Sequence, residues 1–349
     1  MLSARRAGGR IVSGCGQRDL GRSIAGEKAI GVEASYTPSR AEIEYAAALL
    51  RAGRIVAFPT ETVYGLGGNA LDEGAVRRIF EAKGRPGTSP IIVHIGSVEM
   101  VHSVVAEWPR AAQLLAQKFW PGPLTLVLKK QPAISSIATA GLDTVGVRMP
   151  SHPVALALID AAQLPIAAPS ANRFTQLSPT TSAHVRERLG DRVDYILDGG
   201  PCTVGIESTV LSLAVDVPVI LRPGGVSRTQ IEQVIGAVLL RTQTTAEAHP
   251  APGMHSQHYS PRTKLLLVHG GDVPREGAGA YLQWRTPPGR EVRQIVPMAQ
   301  DAAAYAAELY RVLHDLDARG FDWIAVETPE DLPEWEAVRD RLRRAAAKS

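Results

Sequence analysis

The chain has 349 residues, which is long enough for two domains with a sizeable hydrophobic core. Hydrophobic residues make up 45% and charged residues 21%, a composition that excludes a wholly disordered chain. The net charge is only +3, so any anion site must come from local clustering of basic residues. Two cysteines exclude a disulfide framework and fit a reducing compartment, so we expect a cytoplasmic protein.

The first 35 residues differ from the rest of the chain. Four arginines precede the first acid, Asp19, and no hydrophobic period is sustained. Cleaved transit segments are also rich in arginine and poor in acids. A flexible tail, or a start codon assigned too early, gives the same pattern, and a flexible N-terminal tail over residues 1–35 is our prediction.

Residues 36–241 mix helical and strand patterns, beginning with a capping box at Ser39-Arg40-Ala41-Glu42. Asp72 and Ser227 are further helix caps, and the helix after Ser227 is predicted to reach about Leu240. The threonine- and glycine-rich residues 59–69 predict a loop. Because helices and strands intermix, we predict one α/β domain with a twisted, mixed sheet. Strands are predicted over residues 54–58, 91–95, 124–128, 145–148, 166–168, 195–197, 209–213 and 217–221. Helices are predicted to begin at or directly after residues 39, 72, 109, 152, 182 and 227.

Residues 242–261 are polar and rich in proline, so we predict an interdomain linker that acts as a lid. Its His255 and His258 have no carboxylate or thiol nearby, which favours solvated imidazoles over a zinc site. Residues 262–349 then alternate strand and helix patterns and predict a smaller, Rossmann-like α/β domain. Its strands are predicted over residues 264–268, 280–284, 292–296 and 323–326, and its helices over 302–316 and 335–344.

Three arginines stand next to apolar segments. Arg85 follows a helix, and the proline after it restricts the backbone. Its side chain either interacts with the negative end of the helix dipole or binds a phosphate through bidentate hydrogen bonds. Arg148 ends a nearly apolar strand and needs either an internal acid or an anionic ligand, because an unpaired buried charge is costly. Arg222 also ends an apolar strand, where α/β sheets bind ligands.

Hydroxyl and amide side chains accompany these arginines, at residues 169–172 and 178–180 and around Ser208. Turn formation and helix capping explain them equally well. The sequence has no phosphate-binding glycine loop and no serine-hydrolase motif. Cations and hydroxyls without a nucleophile or base triad indicate binding of a phosphorylated small molecule, with transfer driven by orientation and charge neutralisation.

Six segments together resemble the YrdC-like L-threonylcarbamoyladenylate synthases. They span about residues 36–240 and occur in the order residues 59–67 (PTETVYGLG), 83–86 (KGRP), 119–125 (FWPGPLT), 143–150 (DTVGVRMP), 168–172 (APSAN) and 207–210 (ESTV). Residues 252–254 and 258–261 are similar to the linker of the two-domain members of this family. The C-terminal part resembles their smaller domain.

The resemblance implies that L-threonine, bicarbonate (or CO2) and ATP give threonylcarbamoyl-AMP and diphosphate. Mg²⁺ would accompany ATP, with no tightly bound cofactor and no metal held by the protein's own side chains. The adenylate would serve a partner transferase that makes N6-threonylcarbamoyladenosine in tRNAs reading ANN codons, with at most a weak contact to tRNA itself. No membrane partner is expected.

The resemblance also implies site residues. Contacts to L-threonine fall on Thr62, His94, Arg148, Ala168 and Ser208. Contacts to ATP fall on Arg85, Ser89, Thr144, Ser170, Asn172, Ser178, Arg222 and, from the linker, Tyr259. Lys83 and Arg85 are the implied catalytic residues, and no general base is assigned. Ser89 stands where the family usually has asparagine.

Two other functions use the same domain type. An RNA-binding module would present clustered basic residues with stacking aromatics, whereas aromatics are only 5% here. A carbamoyl-phosphate-linked maturation enzyme would carry zinc fingers, which two cysteines cannot build. The adenylate-forming reaction is therefore the leading hypothesis.

Overall fold

The computed structural model describes residues 36–241 and 259–347. The predicted tail, the two linker histidines and most of the predicted lid lie outside the described residues, and the domain boundaries stay predictions. Within the described ranges, no helix is both long and apolar enough to cross a bilayer.

Residues 36–241 build a large sheet covered by helices. The helices are α1 Arg40–Arg51, α2 Glu73–Lys83, α3 Val101–Val104, α4 Arg110–Phe119, α5 Pro153–Ala162, α6 Ser182–Leu189 and α7 Arg228–Ile235. The strands are β1 Val56–Phe58, β2 Gly65–Asn69, β3 Ile92–His94, β4 Leu124–Lys129, β5 Thr144–Arg148, β6 Ile166–Ala167, β7 Tyr195–Ile196, β8 Thr209–Ser212, β9 Val219–Arg222 and β10 Leu239–Leu240.

The ten strands pair in the order β10-β9-β8-β4-β5-β3-β6-β2-β1-β7. The sheet contains parallel pairs such as β3–β5 and β4–β8 and antiparallel pairs such as β4–β5 and β3–β6. The prediction of a mixed sheet is therefore confirmed. Parallel pairing of β3 with β5 places His94 opposite Arg148, so two predicted threonine contacts meet at one strand end.

Local sequence signals set most helix starts. Ser39 and Glu42 form the reciprocal capping box, with the Glu42 amide 3.3 Å from the Ser39 hydroxyl. Asp72 accepts amide hydrogen bonds from the first turn of α2, and Ser227 forms a second capping box on α7. These short-range hydrogen bonds need no tertiary partner, which is why the sequence predicted them.

Two local predictions were wrong. Residues 65–69, expected to be loop, form β2, because Phe58 and Ile166 cover the glycines; a Cβ on Gly67 would lie 2.7 Å from the Phe58 ring. The helix after Ser227 ends at Ile235 instead of about Leu240. Gly236 stops it at φ 81°, and the chain then adds β10 in parallel to β9.

Residues 259–347 form the small domain, whose four strands are all parallel. They are β11 Lys264–Val268, β12 Gly279–Gln283, β13 Gln294–Pro297 and β14 Trp323–Glu327, in the order β11-β14-β12-β13. The helices are α8 Ala302–Asp317 and α9 Glu336–Ala346, the second preceded by a 3-10 turn over Pro333–Trp335. The predicted Rossmann-like pattern of parallel strands and covering helices is confirmed.

The two sheets belong to one compact body, since the described residues 36–241 and 259–347 lie in a single unit. A shared hydrophobic cluster joins them: Val63, Leu177 and Ile206 of the large domain pack with residues of α8 and α9 such as Leu309 and Leu342. Apolar burial of this kind stabilises at about 25 cal/mol per Å². The small domain thus packs against loops of the large domain, those that contain Val63, Leu177 and Ile206.

A pair of histidines stacks across this interface. The rings of His184 on α6 and His314 on α8 lie 3.8 Å apart and 16° from parallel. Burial, followed by the neighbouring His184, lowers the pKa of His314 to about 3; burial, followed by Arg188 and Arg311, lowers the pKa of His184 to about 4. Asp317 opposes the shift of His314 only weakly. Both imidazoles are therefore neutral at neutral pH.

We expect the free energy of unfolding to decrease as the pH falls below 6.5. The unfolded histidines bind protons from about that pH, whereas the folded ones stay neutral, so acid favours unfolding by up to about 1.4 kcal/mol per pH unit for each histidine. Melting temperatures measured between pH 7.5 and 5 test this. The variant His184→Gln/His314→Gln should flatten the decrease, while His102→Gln, on an exposed site, should not. An equal slope in all three proteins would contradict the expectation.

Candidate functional site

The described residues enclose a cleft of about 510 Å³, including its open mouth, between the ends of the central strands and the small domain. It lies where β2 begins, where β3 and β5 end, and beside the residues that directly precede β8. Its lining is rich in hydroxyls and cations and consists of Thr60, Thr62, Val63, Gly65, Arg85, Ile92, His94, Arg148, Ala168, Pro169, Ser170, Glu207, Ser208, Arg222 and Tyr259. Residues from five of the six sequence segments, all except 119–125, thus meet in one place.

Arg148 lies buried on one side of the cleft. Its Nη1 donates to the hydroxyl of Thr62 at 2.9 Å, and its Nε donates to the carbonyl of Gly122 at 3.2 Å. Its Nη2 lies 2.7 Å from a carboxylate oxygen of Glu61, which is also buried. Of the two partners that the sequence left open for Arg148, an internal acid or an anionic ligand, the structure shows the acid. Glu61 neutralises the arginine and fixes the direction of its planar group.

His94 stands beside Arg148 at the end of β3. Its ring meets the Phe58 ring edge to face, with centroids 6.1 Å apart. Burial, followed by the positive charge of Arg148, lowers the pKa of His94 to about 3. The imidazole is therefore neutral and can donate or accept a hydrogen bond without adding charge to the cleft.

Ser208 and Ala168 complete this side of the cleft. The Ser208 hydroxyl lies 2.8 Å from that of Thr125 on β4, which fixes its rotamer. The amide of Ala168 donates to the carbonyl of Ile92 at 2.8 Å, so the backbone that leads to Ser170 follows directly from β6. A zwitterion bound here meets a cation, a neutral imidazole, hydroxyls and exposed backbone groups.

Arg85 lies on the other side, directly after the left-handed cap Gly84 of α2. Its Nη2 donates to the hydroxyl of Ser89 at 2.6 Å and to the carbonyl of Pro90 at 3.0 Å. Burial is the main cause that lowers the pKa of Arg85, to about 10, so the group stays charged at neutral pH. Its side-chain hydrogen bonds run to the following loop and not to the α2 carbonyls, which argues against a side chain that only caps the helix.

Arg222 reaches the same side from the end of β9. Its Nη2 donates to the carbonyl of Ser208 at 2.9 Å and lies 3.2 Å from the hydroxyl of that residue. Arg222 therefore links the two halves of the cleft. With Arg85 it gives this side two positive charges, the arrangement that binds phosphate oxygens.

Tyr259 comes from the end of the predicted linker and is 1% exposed. Its φ of 63° is unusual for a bulky residue, which shows that surrounding contacts hold it in place. The next residue, Ser260, donates its amide to the carbonyl of Thr175 at 2.9 Å. The described end of the linker is thus fixed against the large domain at the cleft.

Lys83 is buried outside the cleft lining. Its ammonium group donates to the backbone carbonyls of Ser170 and Asn172, both at 2.5 Å. Burial, followed by the charge of Arg85, lowers the pKa of Lys83 well below its ordinary value. The Asn172 amide donates to the carbonyls of Arg173 and Gln176. These bonds hold the loop that carries Ser170, and the catalytic role of Lys83 stays a prediction.

Three other predicted ATP contacts also lie outside the described lining. The Ser89 hydroxyl accepts a hydrogen bond from Arg85, and the Ser178 hydroxyl donates one to Glu207 at 2.6 Å. Thr144 opens β5, at the opposite end of that strand from Arg148. Their contacts with ATP remain predictions.

Four residues at or behind the cleft were missed by the sequence reasoning: Glu61, Glu207, Tyr310 and Arg341. Both acids lie inside quoted segments, and an acid within an apolar motif is the signal that could have identified them. Burial opposes ionisation of Glu207, but the charges of Arg341 and Arg222 hold its pKa below its ordinary value. Tyr310 and Arg341 come from α8 and α9 and carry no comparable signal.

Two family models match successive parts of the chain. The Sua5–YciO–YrdC model, described as telomere recombination, matches residues 48–224. The model described as threonylcarbamoyl-AMP synthase, C-terminal domain, matches residues 226–347. The chain belongs to the threonylcarbamoyl-AMP synthase family. Its activity is accordingly that of a nucleotidyltransferase, and its architecture is the two-domain one.

Individual relatives agree with this membership. Threonylcarbamoyl-AMP synthase of Pyrococcus abyssi is 43% identical over 87% of this chain and 94% of its own length. The Bacillus subtilis enzyme of the same name is 42% identical over 87% and 93%. The crystal structure of P. abyssi Sua5 complexed with L-threonine aligns with a TM-score of 0.82 at 39% identity, over 89% of this chain and 96% of that one.

Proposed function

We propose that this threonylcarbamoyl-AMP synthase converts L-threonine, bicarbonate and ATP into L-threonylcarbamoyladenylate and diphosphate. One observation carries the proposal: Arg148, with Thr62, His94 and Ser208, lines the same cleft as Arg85 and Arg222. The relative from P. abyssi was crystallised with L-threonine, which supports the first half of the assignment.

On the threonine side, Arg148 pairs with the substrate carboxylate and Thr62 and Ser208 contact its polar groups. His94, held neutral, lets the substrate amine approach without charge repulsion. The backbone at Ala168 closes this subsite. These side chains orient the substrate, and orientation accounts for much of the barrier reduction in such reactions.

On the ATP side, Arg85 and Arg222 neutralise the phosphates, Ser170 supplies a hydroxyl and Tyr259 covers the nucleotide. Ser89, Thr144, Asn172, Ser178 and Lys83 support this side in the proposal, directly or through the loop of Ser170. Bicarbonate takes up a proton and loses water to give CO2. The threonyl ammonium group loses one proton, and the resulting amine attacks CO2, forms an N–C bond and loses a second proton to give the carbamate. One of these two protons balances the dehydration of bicarbonate and the other goes to solvent. The carbamate oxygen then attacks the α-phosphorus, forms an O–P bond and breaks the bond to the diphosphate oxygen. Arg85 stabilises the negative charge that develops on the leaving group.

Mg²⁺ fits this site as a companion of ATP. Among the described lining residues the one carboxylate is Glu207, which is already ion-paired with Arg341. Within those residues no group of three or more metal-ligating side chains occurs. The phosphate oxygens of ATP would therefore hold the ion, and its role would be to offset phosphate charge.

The adenylate is then the substrate of a transferase that modifies tRNAs reading ANN codons. The three cleft arginines are buried, with Arg85 7% and Arg148 and Arg222 each 3% exposed, so they do not form an RNA-binding face. Any contact with tRNA would be weak. We place the reaction in the cytoplasm because ATP and the tRNA pool are there.

Product formation tests the proposal directly. The full chain is incubated with ATP, bicarbonate and each of a panel of amino acids, and the AMP adduct and diphosphate are quantified by mass spectrometry and coupled release. We expect adduct with L-threonine and little with serine or valine. Diphosphate release that does not depend on threonine and bicarbonate would contradict the proposed reaction.

Arg85→Lys tests the phosphate assignment. The charge is kept, but the planar fork that bonds Ser89 and Pro90 is lost, so we expect turnover to fall about tenfold or more. Diphosphate release under saturating substrates is the measurement. Arg78→Lys, at an exposed position of α2, is the matched control. Release at the rate of the unmodified chain in Arg85→Lys would reduce Arg85 to a helix-end residue.

A further inference from the structure

Arg341 of α9 is a fully buried cation that reaches from the small domain to the cleft. It is 1% exposed, and among the described residues it is the fully buried residue with the largest volume. Its Nε donates to a carboxylate oxygen of Glu207 at 2.6 Å, and its Nη2 donates to the carbonyl of Pro223 at 3.0 Å. Its guanidinium also lies over the ring of Tyr259, 5.1 Å from the centroid.

Each of these three contacts adjoins a residue of the proposed site. Glu207 lines the cleft and precedes Ser208. Pro223 follows Arg222 and so fixes the backbone from which that arginine projects. Tyr259 lines the cleft itself. One side chain of the small domain therefore touches three segments that carry residues of the proposed site.

We propose that Arg341 is a positioning residue. It holds Glu207, Pro223 and Tyr259 in fixed positions relative to one another and so determines the geometry of the ATP side of the site. The proposal rests on the assignment of Arg222 and Tyr259 to ATP given above. In this proposal the small domain positions residues of the site, in addition to anchoring the linker.

The chemistry of the contact favours arginine over lysine. A guanidinium can donate to a carboxylate and a carbonyl at fixed angles while its face rests on an aromatic ring. A lysine ammonium is a point charge and cannot reproduce the three directions together. Asp340 accepts from the remaining nitrogen at 2.7 Å, so the orientation of the group is fully determined.

The surrounding structure is built to bring Arg341 and Glu207 together. Gly205, at φ 74°, lets the loop of Glu207 lie directly on α8, because a Cβ there would be 2.5 Å from the Ala306 carbonyl. Tyr310 of α8 donates a second hydrogen bond to Glu207, at 3.2 Å. Glu207 thus accepts hydrogen bonds from Arg341 and Tyr310 of the small domain as well as from Ser178 of its own domain.

The experiment compares Arg341→Lys and Arg341→Met with the unmodified full chain. Arg339→Met is the matched control, because Arg339 lies on the same helix and bonds only small-domain groups, at Pro329 and Asp331. Circular dichroism and melting temperature show which variants are folded. Steady-state kinetics give kcat and the KM for ATP, and calorimetry gives threonine affinity.

We expect both Arg341 variants to lower kcat/KM for ATP about tenfold to a hundredfold, as small displacements of binding groups do. Threonine affinity should change less, because Thr62, His94 and Arg148 do not contact Arg341 and only Ser208, next to Glu207, connects it to the threonine side. Arg339→Met should keep the kinetics of the unmodified chain. A purely structural role would lower only the melting temperature.

A double variant keeps the test decisive if Arg341→Met fails to fold. Arg341→Met/Glu207→Gln removes both buried charges, so it should regain melting temperature, because a lone buried carboxylate is costly. We expect its KM for ATP to remain raised. Normal ATP kinetics in any folded Arg341 variant, single or double, would overturn the proposal. Absence of product with the unmodified chain would instead overturn the proposed function, so the two failures are distinguishable.

Discussion

Replacing Arg148 with alanine is expected to weaken L-threonine binding about ten- to hundredfold. A charged hydrogen bond to a carboxylate contributes about 1.5–3 kcal/mol, and each 1.4 kcal/mol corresponds to about tenfold in affinity. Arg148 is 3% exposed and points into the cleft, so water cannot replace it easily. Isothermal calorimetry with L-threonine measures the loss.

The buried partner of Arg148 must be controlled in this experiment. Arg148→Ala leaves Glu61 as an unpaired buried carboxylate, which alone could disturb the fold. Arg148→Ala/Glu61→Gln removes both charges and should fold while still failing to bind threonine. Arg110→Ala, on an exposed helix position, is the matched control. Unchanged threonine binding in a folded Arg148 variant would refute the carboxylate assignment.

A chain ending after Leu240 is expected to lose most of its product formation, about tenfold or more, even with saturating ATP and threonine. It lacks Tyr259 at the cleft and Arg341 behind Glu207, so water enters a site that must retain an unstable carbamate. The large domain keeps its own hydrophobic clusters on both faces of the sheet, so folding is expected. Product yield and circular dichroism are the measurements.

Tyr259→Ala in the full chain should reproduce part of this loss. Tyr259→Phe is the matched control, because it keeps the ring against Arg341 and Tyr310. The truncation also exposes Val63, Leu177 and Ile206, which pack against α8 and α9 in the full chain. Undiminished yield from the folded truncated chain would make the linker and small domain accessories.

Helix starts and most strands could be predicted from the sequence because their causes are local. Ser39, Asp72 and Ser227 cap helices through hydrogen bonds to amides within three residues. Strand β2 could not be predicted, because its glycines are strand-like only where Phe58 and Ile166 cover them. The same holds for β10, which exists through its pairing with β9.

The sequence by itself determined the family and the cleft arginines, because these are carried by contiguous motifs. Arg85, Arg148 and Arg222 each stand at the end of an element whose type can be read locally. Only the tertiary structure decided what each cation faces. Glu61 lies beside Arg148 although 87 positions separate them in the chain, and Glu207 meets Arg341 across a separation of 134 residues. Such ion pairs depend on how sheets and domains pack, and no local pattern encodes that packing.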